Sequence, residues 1–319
     1  MERNVILSLV IPVYGSEETI PDLLQTLEEL NRDMDGRFEA VLVVDGSPDR
    51  SLELLVKALP RAGFRSQLIA LSRNFGSFPA ILAGLAHGKG DLFAVMACDL
   101  QEPPELVLAF REQLLSGEAD VVVGTRTGRN DPPLTRLGSN LFWTLYRVLV
   151  LSEIPAGGVD VFACNRKFRD HLLSLPERNT TLVGLVFWLG FRRREVAYVR
   201  RPRRHGRSGW SLPRRVRYLL DSTFAFSDLP VRLLSLAGLA GMALSLGLAA
   251  AVLASKLAGQ IEVPGYTATV LTVMFFGGLN SLGIGILGEY LWRTFENTKS
   301  RPAYVVARHE AFGGPDGDA

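Results

Sequence analysis

The chain has 319 residues, 47% of them hydrophobic and 21% charged, with a formal net charge of +2. That length admits one large domain or two smaller ones, and the near-neutral sum hides charges that are clustered along the chain. Two cysteines, Cys98 and Cys164, exclude a disulfide framework and fit a reducing compartment for the main domain.

Residues 1–4 lack the basic start of a secretory leader, and residues 5–13 are too short and β-branched for one, so 5–13 reads as a first strand. Residues 17–30 carry Ile20, Leu23, Leu24, Leu27 and Leu30 at helical spacing. A buried strand is expected over 38–44, closed by the turn signal Asp45-Gly46-Ser47-Pro48. A helix over 52–59, a strand over 66–71, a helix over 79–87, a strand over 92–97, a helix over 104–115 and a strand over 120–124 follow. Strands alternating with helices predict an α/β domain with a mostly parallel sheet covered on both faces. Ligands of such sheets bind at the carboxyl ends of the strands, and Asp45, Asp99 and Arg126 each fall just after an expected strand.

Between residues 192 and 217 stand eleven Arg against a single acid, Glu195. Residues 212–226 place Val216, Leu219, Leu220, Thr223 and Phe224 on one helical face, with Arg214, Arg215 and Arg217 elsewhere, the pattern of an amphipathic helix lying on a bilayer. Residues 233–255 and 267–288 are uncharged runs of 23 and 22 residues, each long enough to span hydrocarbon as a helix. Arg and Lys crowd the outer flanks of the pair, whereas the connection between them holds only Lys256 and Glu262, so both termini and the large domain are expected on the cytosolic side. The Gly-rich spans permit homo-oligomers. Glu289, at the end of the second run, either pairs with Arg293 or serves the site. The expected organisation is a cytosolic domain over 1–211, a juxtamembrane amphipathic helix over 212–230, a transmembrane hairpin over 231–292 and a cytosolic tail over 293–319. Within that tail the residues after Val306, ending in Gly313-Gly314-Pro315-Asp316-Gly317-Asp318-Ala319, read as disordered.

The strings Ile11-Pro12-Val13-Tyr14, Val44-Asp45-Gly46-Ser47, Arg73-Asn74-Phe75-Gly76 and Asp99-Leu100-Gln101-Glu102-Pro103-Pro104-Glu105, followed late in the chain by Gly285-Ile286-Leu287-Gly288-Glu289-Tyr290, resemble one family in order and spacing. It is the inverting family 2 glycosyltransferases of GT-A fold, and within them the polyprenyl-phosphate glycosyltransferases, the group of dolichyl-phosphate mannose synthase and bacterial bactoprenol glucosyltransferases, in its two-span bacterial branch. The resemblance implies a UDP- or GDP-linked sugar donor, a polyprenyl phosphate acceptor at the bilayer, and Mg²⁺ or Mn²⁺ as cofactor.

By the same resemblance Pro12, Tyr14, Glu17, Asp45 and Arg73 contact the nucleotide. Asp99 and Gln101 hold the metal, with Ala97 standing where the family has the first acid of its Asp-x-Asp motif. Asp160 lies where the family has a functional acid, and Arg201, Arg204, Arg207 and Ser208 lie in a segment similar to its acceptor-phosphate segment. Arg126 and Arg129 follow a strand and carry the planar fork that grips phosphate. Asp160 is expected to position the acceptor rather than to act as a strong base, because a phosphate monoester loses its second proton near pH ~6. Nucleic acid is not an expected partner, since no base-reading module accompanies the Arg run. A dinucleotide dehydrogenase is set aside because no Gly-x-Gly-x-x-Gly follows the first strand. A processive synthase is set aside because a channel needs more than two spans. A non-catalytic scaffold with a degenerate site is the remaining rival.

Overall fold

A computed structural model describes residues 6–127, 144, 146, 147, 150, 151, 153–155, 158–175, 177, 180–202, 212–258 and 265–313. Its strands are β1 (Leu7–Val13), β2 (Phe38–Val44), β3 (Arg65–Leu71), β4 (Leu92–Val95), β5 (Val121–Arg126), β6 (Val159–Asn165), β7 (Arg193–Tyr198) and β8 (Val306–Phe312). They form one mixed sheet in the order β7-β5-β6-β4-β1-β2-β3-β8. Strands β1 to β4 pair in parallel, and β7 pairs in parallel with β5. Only β6 and β8 run the other way among the described strands, β6 wedged between β4 and β5 and β8 on the outer side of β3. The carboxyl ends of β1, β2, β3, β4, β5 and β7 therefore share one edge with the amino end of β6.

Alternation along the strands sends side chains to two cores. Leu7, Leu9, Ile11 and Val13 of β1 join a cluster with Leu23 and Leu27 of α1 (Ile20–Asp33), Leu55 of α2 (Ser51–Ala58) and Phe110 of α4 (Glu105–Leu115). Val10, Val41 and Val43 face the opposite cluster, with Ala83 of α3 (Ser77–His87), Phe168 of α5 (Arg166–Ser174) and Leu185 of α6 (Leu182–Trp188). A sheet covered on both faces explains why its central strands read as unbroken apolar runs.

Three expected boundaries move for identifiable reasons. Helix α1 begins three residues later than its periodicity, because the N–H groups of Gly15, Ser16 and Glu17 are taken by Ser47, Ser51 and Asp49 across the sheet edge. Strand β5 continues to Arg126 because β7 pairs along it to the end, Arg126 opposite Tyr198. Arg126 is thus the last residue of a strand, not the first after it. The third change is a correction. Residues 306–312, expected to be disordered, are β8, paired antiparallel to β3 from Phe312 opposite Ser66 to Val306 opposite Leu71. An exposed strand edge is a row of unpaired backbone groups, and β8 covers the one β3 would otherwise present. His309 Nε2 sits 2.7 Å from Gln67 Oε1, and Gln67 in turn donates to the buried Glu39 at 2.7 Å, so a polar sequence is anchored by a buried network. Residues 314–319 lie outside the described residues.

Helix α7 (Leu212–Phe226) is docked on the domain rather than lying free. Tyr218 stacks on Tyr146 with ring centroids 5.8 Å apart, and a Cβ added to Gly184 of α6 would stand 2.2 Å from the Phe226 ring. The expected apolar face divides accordingly: Leu219 and Thr223 pack inward, while Val216 and Leu220 are exposed. Two long helices follow, α8 (Leu229–Leu257) and α9 (Tyr266–Thr298). They pack antiparallel, with Gly241 against Phe276 and Gly283 against Leu234. Most of their Leu, Phe and Met side chains are exposed. Among the described residues, Thr272–Thr298 is the one continuous stretch long and apolar enough to cross a membrane. Tyr218–Phe226 and Leu229–Leu244 reach that standard only when taken together across a 77° bend. At the base of the pair Arg293 donates to Glu289 and to Asp221 of α7, both at 2.8 Å, so Glu289 pairs with Arg293.

Candidate active site

The edge that collects the strand ends carries two acidic clusters. The first lies at the ends of β1 and β2. Asp45 is 3% exposed, and its two carboxylate oxygens accept from the backbone N–H groups of Phe75 at 2.7 Å and Gly76 at 2.8 Å. Burial pushes its carboxyl up from the ordinary value, against those two hydrogen bonds and the charge of Arg73. Gly46 must be glycine here: its φ is +57°, and a Cβ would lie 2.4 Å from the backbone of Arg73 and of Asn74. The loop after β2 and the loop after β3 are thus held in contact, with the exposed Arg73 guanidinium 4.0 Å from the centroid of the Phe75 ring.

Beside it, Asp49 accepts from Ser47 Oγ at 2.5 Å and from the N–H groups of Glu17 at 2.9 Å and Ser51 at 3.1 Å. Burial opposes its ionisation, but these donors outweigh it and bring the carboxyl down to about 2. Glu17 accepts from the N–H of Arg50 at 3.0 Å. Pro12 lies in β1 opposite Val43, and Tyr14, 52% exposed, stands at the rim just beyond. The five residues expected at the nucleotide are therefore brought to one end of the sheet. Asp49 was missed by sequence reading; its signal was the run of Asp and Ser in Asp45-Gly46-Ser47-Pro48-Asp49-Arg50-Ser51, which supplies both acceptor and donors.

The second cluster lies at the ends of β4, β5 and β7 and the start of β6. Asp99 follows β4 in a turn that includes Leu100 at φ 52°, and accepts from the Gln101 N–H at 3.3 Å. Arg126 Nε donates to Asp160 Oδ2, and the Tyr198 hydroxyl donates to the same oxygen at 3.0 Å. Burial, with the charges of Asp160 and Glu102, pushes the Tyr198 phenol well up, so it stays protonated and donates. One oxygen of Asp160 is thus taken by two donors, a guanidinium and a phenol, in keeping with a positioning role for this acid. Tyr198 was also missed, because nothing near it in sequence marks it; only the β5–β7 pairing sets it beside Arg126.

Glu102 is 2% exposed, and its Oε2 has no hydrogen-bond partner among the described residues. Burial, with the charges of Asp99 and Asp160, pushes its carboxyl up to about 7 against the pull of Arg200. Arg200 Nε is 3.9 Å from Glu102 Oε1 and is likewise buried without a hydrogen bond among the described residues. Cys98 is buried beneath the turn, and burial raises its thiol to about 11, so it is inert at neutral pH.

The residues expected at an acceptor phosphate divide. Arg201 is tied to the Asp99 turn: its N–H donates to Gln101 O at 2.8 Å, Gln101 Nε2 donates to Arg201 O at 3.2 Å, and its guanidinium reaches Glu105 at 3.1 Å. Arg129, Arg204, Arg207 and Ser208 lie outside the described residues, as do the side chains of Arg214, Arg215 and Arg217. The Arg-rich run is also less unbalanced than it looks in one dimension. Arg192 pairs with Asp120 at 2.9 Å, Arg193 with Glu153 at 2.9 Å and Arg194 with Glu118 at 2.6 Å.

A divalent ion would find a thin donor set here. Asp99 offers the carboxylate and Gln101 an amide oxygen, and among the described residues no group of three His, Cys, Asp or Glu is gathered to hold an ion unaided. Such a set fits Mg²⁺ or Mn²⁺ arriving with a diphosphate and keeping most of its ligands from it and from water.

Residues 8–173 match the family described as Glycosyl transferase family 2. The chain is 31% identical over 302 residues to an uncharacterized glycosyltransferase of Synechocystis sp., covering 94% of each chain. It is 33% identical to the bactoprenol glucosyl transferase of Shigella phage SfX, covering 94% of this chain and 98% of that one. Among solved structures, glucosyl-3-phosphoglycerate synthase from Mycobacterium tuberculosis in complex with UDP is similar at a TM-score of 0.47 and 22% identity, over 68% of this chain and 78% of that chain.

Proposed function

Because this chain belongs to glycosyl transferase family 2 and is a glycosyltransferase, we propose that it moves a sugar from a nucleotide-sugar donor to a polyprenyl phosphate at the cytosolic face of a membrane, with inversion at the anomeric carbon. One observation carries this reading: the Asp99 turn and the start of the basic segment are joined through the paired hydrogen bonds of Gln101 and Arg201, so a donor site and an acceptor site would share one wall. The near-full-length likeness to bactoprenol glucosyl transferases supports a polyprenyl acceptor and a glucosyl donor. The exposed apolar surface of α8 and α9 supports a two-span hairpin in the bilayer, with α7 as its cytosolic footing and the rest of the domain arranged as a GT-A fold.

In this mechanism the nucleoside lies against the loops after β1, β2 and β3. Tyr14, Glu17 and Arg73 face it, and Asp45 and Asp49 hold those loops in register. A divalent ion at Asp99 and Gln101 would neutralise the leaving diphosphate when bound. An oxygen of the lipid phosphate, already anionic near neutral pH, attacks the anomeric carbon as the nucleoside diphosphate departs with the bonding pair. Arg126, oriented by Asp160 and Tyr198, presents its remaining N–H groups to phosphate oxygens. The product is a lipid-phospho-sugar.

The test uses purified full-length protein in detergent with radiolabelled nucleotide sugars, undecaprenyl phosphate and Mg²⁺ or Mn²⁺. The expected result is a labelled, phosphate-linked lipid from at least one donor. Nucleotide binding without lipid product across the whole donor panel would overturn the reading in favour of a non-catalytic scaffold.

A further inference from the structure

Among the described residues, Glu102 is the one buried carboxylate at this edge that the proposed chemistry does not use. A carboxylate at 2% exposure with an orphaned oxygen is costly, and replacing such a group by a neutral side chain of similar volume is commonly neutral or stabilising. Stability therefore does not account for its presence. Its surroundings are informative. It lies in the turn that carries Asp99 and Gln101, and its nearest opposite charge is Arg200, the residue before Arg201. Arg200 Nε, which makes that approach to Glu102 Oε1, and the other carboxylate oxygen, Glu102 Oε2, both lack hydrogen bonds among the described residues. At 3.9 Å the pair is open; a movement of about 1 Å would bring it to hydrogen-bond length.

The two sides of the joint are not held equally. The Asp99 turn is fixed by β4 on one side and α4 on the other, and internally by the Gln101 N–H on Asp99 and the Leu106 N–H on Pro103 O. Residues 199–202 leave the sheet after Tyr198. Among the described residues, the contacts that hold them are those of Arg200 and Arg201 to Glu102, Gln101 and Glu105. Two of those are solvent-exposed and worth little, which leaves the Arg201 N–H on Gln101 O and the approach of Arg200 to the buried Glu102.

We propose that Glu102 is a positioning residue for the acceptor: through Arg200 it seats residues 199–202 against the donor turn, and so sets where Arg201 stands relative to the leaving diphosphate. This rests on the glycosyl-transfer reading above. It assigns Glu102 an effect on the lipid phosphate and not on the nucleotide, a split that a residue of the fold alone would not produce.

The experiment compares wild type, Glu102→Gln, Arg200→Gln and the double variant as full-length protein in detergent. Undecaprenyl phosphate and the donor that wild type uses are varied in turn. Glu102→Gln is expected to raise the acceptor KM about tenfold while the donor KM stays within about twofold. The thermal midpoint is expected to hold or rise, and the double variant to be no worse than the poorer single one, as for two residues acting as a unit. Parallel rises in both KM values, an unchanged acceptor KM, additive losses or a lowered midpoint would each overturn the proposal. Hydrogen exchange gives a readout that does not depend on turnover. The Arg201 amide should exchange faster in Glu102→Gln, and unchanged exchange overturns the anchoring role even if wild type proves to transfer no sugar. Faster exchange in a protein without lipid product would instead leave the joint standing and remove the glycosyl-transfer reading.

Discussion

Two acidic clusters share the carboxyl edge of one sheet and are built in opposite ways. Around Asp45 and Asp49 every carboxylate oxygen described above has a donor: Phe75 and Gly76 on Asp45, and Ser47, Glu17 and Ser51 on Asp49. Around Asp99 and Asp160 burial runs from the exposed Asp160 to the buried Glu102, and Glu102 and Arg200 stand 3.9 Å apart with orphaned atoms. Completed hydrogen bonding makes the first cluster a latch that fixes loop geometry before any ligand arrives. The second keeps unspent electrostatic potential, which is where a diphosphate and its counter-charges would be received.

Four substitutions sharpen or break that contrast. Asp99→Ala should cut sugar transfer by about a hundredfold or more with little change in thermal midpoint, since it removes charge neutralisation and not packing. Turnover equal to wild type would take Asp99 out of the site. Asp45→Ala should act through the fold, costing about 2 kcal/mol of unfolding free energy by stranding the Phe75 and Gly76 N–H groups. Chemical denaturation checks it, and a variant as stable as wild type would mean that the latch is not structural. Asp160→Asn should lower kcat about tenfold by loosening Arg126 while leaving the pH–rate profile unmoved. Loss of an acidic limb from the profile would make Asp160 a base after all.

Asp49→Asn has the smallest expected effect, roughly 1 kcal/mol once the shift is discounted for solvent screening. Its sign follows from the direction of that shift. The folded carboxyl is held at about 2, below its ordinary 3.8, so the stabilisation is present above 3.8 and fades as pH falls toward 2. The stability difference between wild type and Asp49→Asn should therefore close across that window, as read by denaturant titrations at successive pH values.

Reading along the chain reached the first half of the sheet closely. β2 falls on its expected bounds, 38–44, and α3 and α4 start within two residues of theirs. In this half the buried strands are continuous apolar runs and the helices carry their own periodicity, so each element announces itself locally. The same reading placed Asp45, Asp99 and Arg126 on one edge, because parallel strands deliver their carboxyl ends to the same side. It stopped at residues whose surroundings come from afar. Tyr198 becomes a partner of Asp160 only when β7 pairs with β5, and Arg192, Arg193 and Arg194 look like membrane-seeking charge until Asp120, Glu153 and Glu118 are folded beside them. Residues 306–312 read as a polar tail because their strand character comes from the open edge of β3 and from Gln67, more than two hundred residues earlier.

What the amino-acid order determined by itself was whatever depends on neighbours within one or two turns: alternating strands and helices, long apolar helices near the end, and the motif strings that mark a glycosyltransferase. What only the tertiary structure decided was which charges are spent and which are held in reserve. An Arg or a Glu has the same local pattern whether it is paired, buried or exposed. The distance to its opposite charge is set by sheet order, and sheet order is a property of contacts far apart in sequence.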